Sequence, residues 1–104
     1  MYVVVRIMKV KKNHQEVVTK RFMNQTLMSK SKGYVKSILM VDQKHKEYDL
    51  FRQEIYWDDK RAFFVWEGSP EHIAIHKAHK AAGHVRPEEI IEVSKETYEV
   101  LGQV

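Results

Sequence analysis

Along residues 2–10, YVVVRIMKV, nearly every side chain is apolar and many are β-branched, a composition that favours a strand. Val3, Val5 and Ile7 fall on one face, and Val4, Arg6, Met8 and Val10 on the other, so the pattern asks for cover on both sides. Asn13 and Glu16 then have the spacing of a helix N-cap and its reciprocal acidic partner. They predict a helix running to about Ser29, with Val17, Val18, Phe22 and Met23 inward and Ser31-Lys32-Gly33 as its breaker. Residues 34–41 and 47–57 read as two strands joined by a polar turn, hence a hairpin. Asp58-Asp59 caps a short helix carrying Ala62, Phe63, Phe64, Val65 and Trp66, and Gly68 ends it. Ser69 as cap and Pro70 at the first helical position start another helix, which runs to about Ala82 and closes at Gly83. Arg86-Pro87 lies in a loop, and residues 90–101 read as a last strand.

The element order β-α-β-β-α-β is the ferredoxin-like arrangement of two split βαβ units, an α+β fold with an antiparallel sheet. There is no internal linker, repeat or low-complexity tract, so residues 1–104 are expected to form one domain. Helices on one side leave the sheet's other face open, yet that face is also apolar. A second copy would cover it, and the expected assembly is a homodimer, two sheets making a dimeric α+β barrel.

Composition narrows the chemistry. The 104 residues include no cysteine, which removes disulfides, a thiolate nucleophile and thiolate metal sites. No stretch reaches the roughly 18 apolar residues of a membrane span, and the first apolar run is too short for a signal peptide. A cytoplasmic protein without membrane association is expected. The formal charge is +4, from 18 Lys plus Arg against 14 acids, which fits a mildly basic solvated surface or an anionic ligand. The basic residues are dispersed and no nucleic-acid-binding motif occurs, so no nucleic-acid partner is expected.

Residues 57–82 carry the candidate chemistry. On a helical wheel Ala74, Ala78, Ala81 and Ala82 form a small-residue arc that is expected to approach the sheet closely. His72, His76 and His79 form a second arc beside it, bridged by Ile75. Such an arc has four readings: partly exposed polar residues, a shared transition-metal ion, one axial heme ligand, or acid–base chemistry. Phe63 and Phe64 are read as core, the five Met as adaptable core filling, and His14, His45 and His84 as solvated.

The run Glu54-Ile55-Tyr56-Trp57, then Ala62-Phe63, Trp66 and His76-Lys77-Ala78-His79, resembles the antibiotic-biosynthesis-monooxygenase family, and in particular its small bacterial heme-degrading branch. Lys20-Arg21-Phe22 and Gly33-Tyr34 extend the likeness over nearly the whole chain. The heme-degrading branch places a Trp on the short helix and a His ten residues later, as Trp66 and His76 stand here. The resemblance implies that His76 ligates heme iron and that Trp66 presses on and distorts the porphyrin. Heme is then cofactor and substrate at once. Its ring is opened with O2 and an external electron donor, and iron is released.

The heme-degrading branch also has a first-strand Asn that this chain lacks; Arg6 stands at that place without a gap, or Met8 with a shorter turn. The two share a strand face. Arg6 would hold an anion or an oxygen species, or ion-pair in the core, and Met8 would be a second iron ligand or packing. The wider family also includes cofactor-free monooxygenases of quinol and phenolic substrates, for which His76 or His79 could be the base. A non-enzymatic heme-binding dimer is the remaining alternative.

Overall fold

The computed structural model describes residues 1–83 and 86–104, so His84 lies outside the described residues. Four strands, β1 (Tyr2–Lys11), β2 (Tyr34–Asp42), β3 (Tyr48–Trp57) and β4 (Ile90–Glu99), form one sheet. The helices are α1 (Gln15–Met23), α2 (Thr26–Ser29), α3 (Lys60–Glu67) and α4 (Pro70–Ala81). The strand order is β2-β3-β1-β4 with every pair antiparallel, the topology the element order implies. Among the described residues no helix is long and apolar enough to cross a membrane.

Register fixes the two faces. Val4 opposes Ile55, Arg6 opposes Gln53 and Met8 opposes Phe51, so Tyr2, Val4, Arg6, Met8 and Val10 all point to the helix side. Two apolar clusters form there. Tyr2, Val4, Ile55, Trp57, Phe63 and Trp66 pack under α3, and Met8, Val10, Val18, Phe51 and Ile90 pack under α1. The caps at α3 and α4 match the sequence. Asp59 accepts from the Ala62 amide at 2.8 Å, and Ser69 accepts from the His72 amide at 3.2 Å with Pro70 in the first turn.

The structure corrects expectations at several points. Asn13 does not cap α1: it has φ +70, a left-handed conformation Asn tolerates but a cap cannot use, and His14 takes the cap position without a side-chain bond. The first helix also breaks at Asn24 and Gln25. The amide of Gln53 is buried and needs a partner, and the break turns Gln25 inward to accept its hydrogen bond at 2.9 Å. That rotation leaves Val18 buried and Phe22 partly buried, with Val17 and Met23 exposed. Of the aromatic pair on α3, Phe63 is core and Phe64 is exposed, because Phe63 and Trp66, three apart, set the inward face.

Of the five Met, Met8 is buried and Met28 packs against the first cluster, while Met1, Met23 and Met40 are exposed. His14 and His45 are partly exposed, and each also makes a local contact. The His14 Nδ1 lies 2.8 Å from the Lys12 carbonyl, and the His45 ring stacks on Tyr48 with centroids 4.5 Å apart.

The largest correction concerns α4. Its alanine arc faces solvent, and no residue of the helix is buried. Ile75 packs against the first cluster instead, with His72 half-buried beside it, while His76 and His79 stay exposed. The helix stands off the sheet because the sheet surface facing it is partly polar.

Candidate functional site

The two apolar clusters do not merge. Between them a polar row crosses the helix side of the sheet: Gln53 on β3, Arg6 on β1 and Lys95 on β4, which the register places directly side by side. Like charges opposite one another on a sheet repel, so Arg6 and Lys95 make an electropositive floor. Lys95 is offset by Glu67 at 3.5 Å. Among the described residues no carboxylate pairs with Arg6. Burial holds its guanidinium below the ordinary value, since the charged form has lost water. Arg21, at the same rim, is neutralised by Glu89 at 2.6 Å, and that contact holds the Glu89 carboxyl below its usual range.

Above this floor the two helix pairs part to leave a cleft of about 760 Å³. Val4, Ile55, Phe63, Trp66, Met28 and Ile75 give it apolar walls, and His72, His76 and His79 line it from α4. A second hollow of about 620 Å³ adjoins it, sharing Arg6, Arg21, Gln25, Gln53 and His79, and adding Arg86. Both fall within the roughly 300–1,000 Å³ typical of small-molecule and cofactor sites.

Trp66 is buried in the first cluster and presents its ring to the cleft. Its ring neighbour on α4 is His72, with centroids 5.1 Å apart, and His72 in turn meets His76 edge-on at 4.4 Å. The hydrogen bonds order this pair. The His72 Nδ1 lies 2.8 Å from the main-chain oxygen of Glu67, which can only accept, so His72 carries its proton there. In the neutral pair the His72 Nε2 is then an acceptor, and the His76 Nε2, 3.1 Å away, donates to it.

The structure therefore brings Trp66, His76 and Arg6 to one cleft. Met8 is packed into the second cluster and lines the adjoining hollow instead. The sequence reading missed Gln25, Gln53, Glu67 and Lys95. Gln53 had a signal, since it lies at an inward position of an alternating strand; Lys95 had none, because its place depends on the β4 register.

The sequence profile of antibiotic biosynthesis monooxygenases matches residues 1–78. The chain belongs to the antibiotic biosynthesis monooxygenase family. Members of the family are monooxygenases, and the solved structures similar to this chain span different chemistries. A Bacillus cereus protein described as an antibiotic biosynthesis monooxygenase is 22% identical, with a TM-score of 0.81 over 99% of this chain and 95% of that one. The heme degrader MhuD of Mycobacterium tuberculosis, solved with two hemes in its active site, is 25% identical, with a TM-score of 0.69 over 100% of this chain and 99% of that one. A variant of SnoaB, a cofactor-independent oxygenase of Streptomyces nogalater, is 13% identical, with a TM-score of 0.69 over 99% and 95%. No curated protein matches the chain by sequence.

Proposed function

We propose that this antibiotic biosynthesis monooxygenase relative degrades heme, holding it in the cleft between α4 and the sheet. The observation that carries the reading is the pairing of an apolar space walled by Trp66 with a cationic floor and an imidazole on the neighbouring helix. The likeness to MhuD supports it.

The residues present fit the group. Heme is a large apolar plate with two carboxylates, and Arg6 is a half-buried cation without a carboxylate partner among the described residues. His76 would hold the iron through Nε2, after turning that atom away from His72. Trp66 would bear on the ring plane, and Arg6 with Lys95 would hold propionates or an anionic oxygen species. Heme seated against the apolar walls would displace water from them, which would strengthen each of these contacts. Heme bound here would supply the iron that activates O2 and the carbon that is oxidised, with electrons from an external donor. The chain has no first-strand Asn, so Arg6 is the polar group the first strand offers to the cleft.

The test is a heme titration of tag-free protein followed by ascorbate with catalase present. The expected result is a saturable Soret band that bleaches, and its loss in His76→Ala. A band that persists under reductant would leave a heme-holding module, and unchanged heme affinity in His76→Ala would remove His76 as the ligand.

A second reading has its own support. The hydrogen-bonded His72–His76 pair is built like a base and its partner, which suits cofactor-free oxidation of a quinol or phenol. Oxygen uptake on hydroquinones without heme would select it.

The proposal includes a single working domain over 1–104, a cytoplasmic location, and a homodimer closed over the open sheet face as a dimeric barrel. Ile38, Met40 and Tyr98 are exposed on that face, beside Val3, Val5 and Ile7. Sedimentation at micromolar concentration should give twice the mass of one chain; a single-chain mass would overturn the dimer.

A further inference from the structure

We infer that His72 and His76 form a two-imidazole chelate for a borderline divalent cation such as Ni²⁺, Cu²⁺ or Zn²⁺, at the mouth of the cleft. The inference does not rest on the heme reading.

It starts from spacing. The two histidines are four residues apart on α4, so they share one face of the helix. Their Nε2 atoms are 3.1 Å apart. Two nitrogens bound about 2.1 Å from one ion stand about 3.0–3.4 Å apart for angles from octahedral to tetrahedral. The observed separation lies inside that window before any ion is considered.

Orientation is the second observation, independent of the spacing. His72 is held by the bond from its Nδ1 to the Glu67 main-chain oxygen at 2.8 Å. Histidine ligands are commonly fixed this way, with one ring nitrogen donating to a carbonyl and the other presenting a lone pair to the metal. The carbonyl belongs to the last residue of α3, where the helix leaves oxygens without internal partners. The Trp66 ring lies against His72, with centroids 5.1 Å apart. One imidazole is therefore preorganised as a ligand through Nε2.

His76 is the half that must rearrange. In the metal-free pair it donates an Nε2 proton to His72. Binding an ion needs that proton to shift to the His76 Nδ1, a change of tautomer that leaves the charge of both rings unchanged, and needs the His76 ring, now edge-on to His72, to turn so that both Nε2 lone pairs converge on the ion. The N–H···N bond is then replaced by two N–metal bonds.

The remaining positions are open. Among the described residues no group of three or more His, Cys, Asp or Glu side chains is placed to hold a metal. The site is thus bidentate, completed by water, and able to accept a further ligand. A Glu67 carboxylate oxygen 3.8 Å from the His72 Nε2 sets a negative charge beside the ion without reaching ligand distance. Imidazole donors suit Zn²⁺, Cu²⁺ and Ni²⁺, and among these affinity should peak at Cu²⁺. An occupied chelate also removes the Nε2 of His76 from any other use, so the ion would exclude axial ligation by that residue.

The test is calorimetric titration of tag-free protein with NiCl2 and ZnCl2 in a non-coordinating buffer. Wild type and the His45→Ala control should each take up one saturable equivalent per chain. His72→Ala and His76→Ala should each weaken binding tenfold or more. His72→Phe, which keeps a ring against Trp66, should weaken binding equally, and it serves if the alanine variant loses its circular dichroism signature. No saturable uptake by wild type, or uptake unchanged in the His72 and His76 variants, would overturn the chelate. A parallel heme titration separates the two ideas. If Ni²⁺ binds and heme does not, the chelate stands and the heme reading fails. If both bind, preloading with Zn²⁺ should raise the heme concentration needed for half-saturation; unchanged heme affinity would show that the ion is not on His76 and would overturn the site.

Discussion

Gly33 carries φ +87, and a Cβ built on it would lie 2.4 Å from the Ala62 Cβ. Its carbonyl accepts from the Asp58 amide at 2.7 Å, so the glycine lets the start of β2 lie directly against the start of α3. Gly33→Ala meets both backbone strain and a collision that a short α3 cannot relieve without shifting Trp66. The variant should lose about 2 kcal/mol or more in urea unfolding. Arg6 makes the opposite case. It faces Lys95 across the strand pair, and burial has cost it water. Arg6→Met should leave the fold intact or stabilise it by up to about 1 kcal/mol in thermal unfolding, while weakening heme binding tenfold or more. A variant that both unfolds and binds poorly would make Arg6 a structural residue. At this scale strand parity made the inward aim of Arg6 and Met8 legible. It could not separate them, because Met8 is absorbed by Val10, Val18, Phe51 and Ile90, and Arg6 falls in the gap between the two clusters.

Helix signals worked where a cap side chain was free to take its local bond. Asp59 and Ser69 do so, and the starts of α3 and α4 stand where the sequence put them. The Asn13 pattern failed because the turn out of β1 needed a left-handed residue, and Asn13 was used for that instead. The alanine arc failed for a reason of another kind. A small-residue stripe permits close packing but does not require it, and here the sheet beneath is polar at Arg6, Gln53 and Lys95. Ile75 and His72 turned inward, and His76 and His79 line the resulting cleft from exposed positions. Ser69→Ala tests how much the cap matters to the histidine arc. It removes the acceptor for the His72 amide and should cost about 1 kcal/mol. It should also fray the first turn of α4, so hydrogen exchange should rise at His72 and Ile73 more than at the helix end. Uniform exchange along α4 would mean that Ile75 packing, not the cap, fixes the first turn.

At the scale of the whole molecule the open sheet face decides the behaviour with pH. A network lies in its centre: Glu54 accepts from Tyr56 at 2.7 Å and from Arg52 at 2.9 Å. The Tyr56 hydroxyl, then the Arg52 guanidinium, hold the Glu54 carboxyl below its usual range, and Glu54 in turn pushes the Tyr56 phenol up. A carboxyl lowered in the fold contributes stability that is present above its unfolded value and is lost as pH falls through the folded one. A phenol raised in the fold contributes stability that is present below its unfolded value and is lost as pH rises through the folded one. Both limbs run through Glu54. Glu54→Gln should therefore flatten the decline of urea-midpoint stability below the ordinary carboxylate range, and also reduce the decline above the ordinary tyrosine range. Tyr56→Phe should flatten the alkaline limb and move the acid limb upward toward the ordinary carboxylate range. Equal pH profiles for wild type and Glu54→Gln would mean the network persists in the unfolded chain or is too solvated to matter. The sequence showed alternation and an apolar open face, but not this network, because Arg52, Glu54 and Tyr56 read as the polar half of an ordinary strand. Only the pairing of β3 with β1 puts them over Val5 and Ile7. There they occupy the middle of the surface that a second copy would cover, so the urea midpoint of the proposed dimer should fall on dilution, because dissociation by mass action removes whatever stability the covered face contributes.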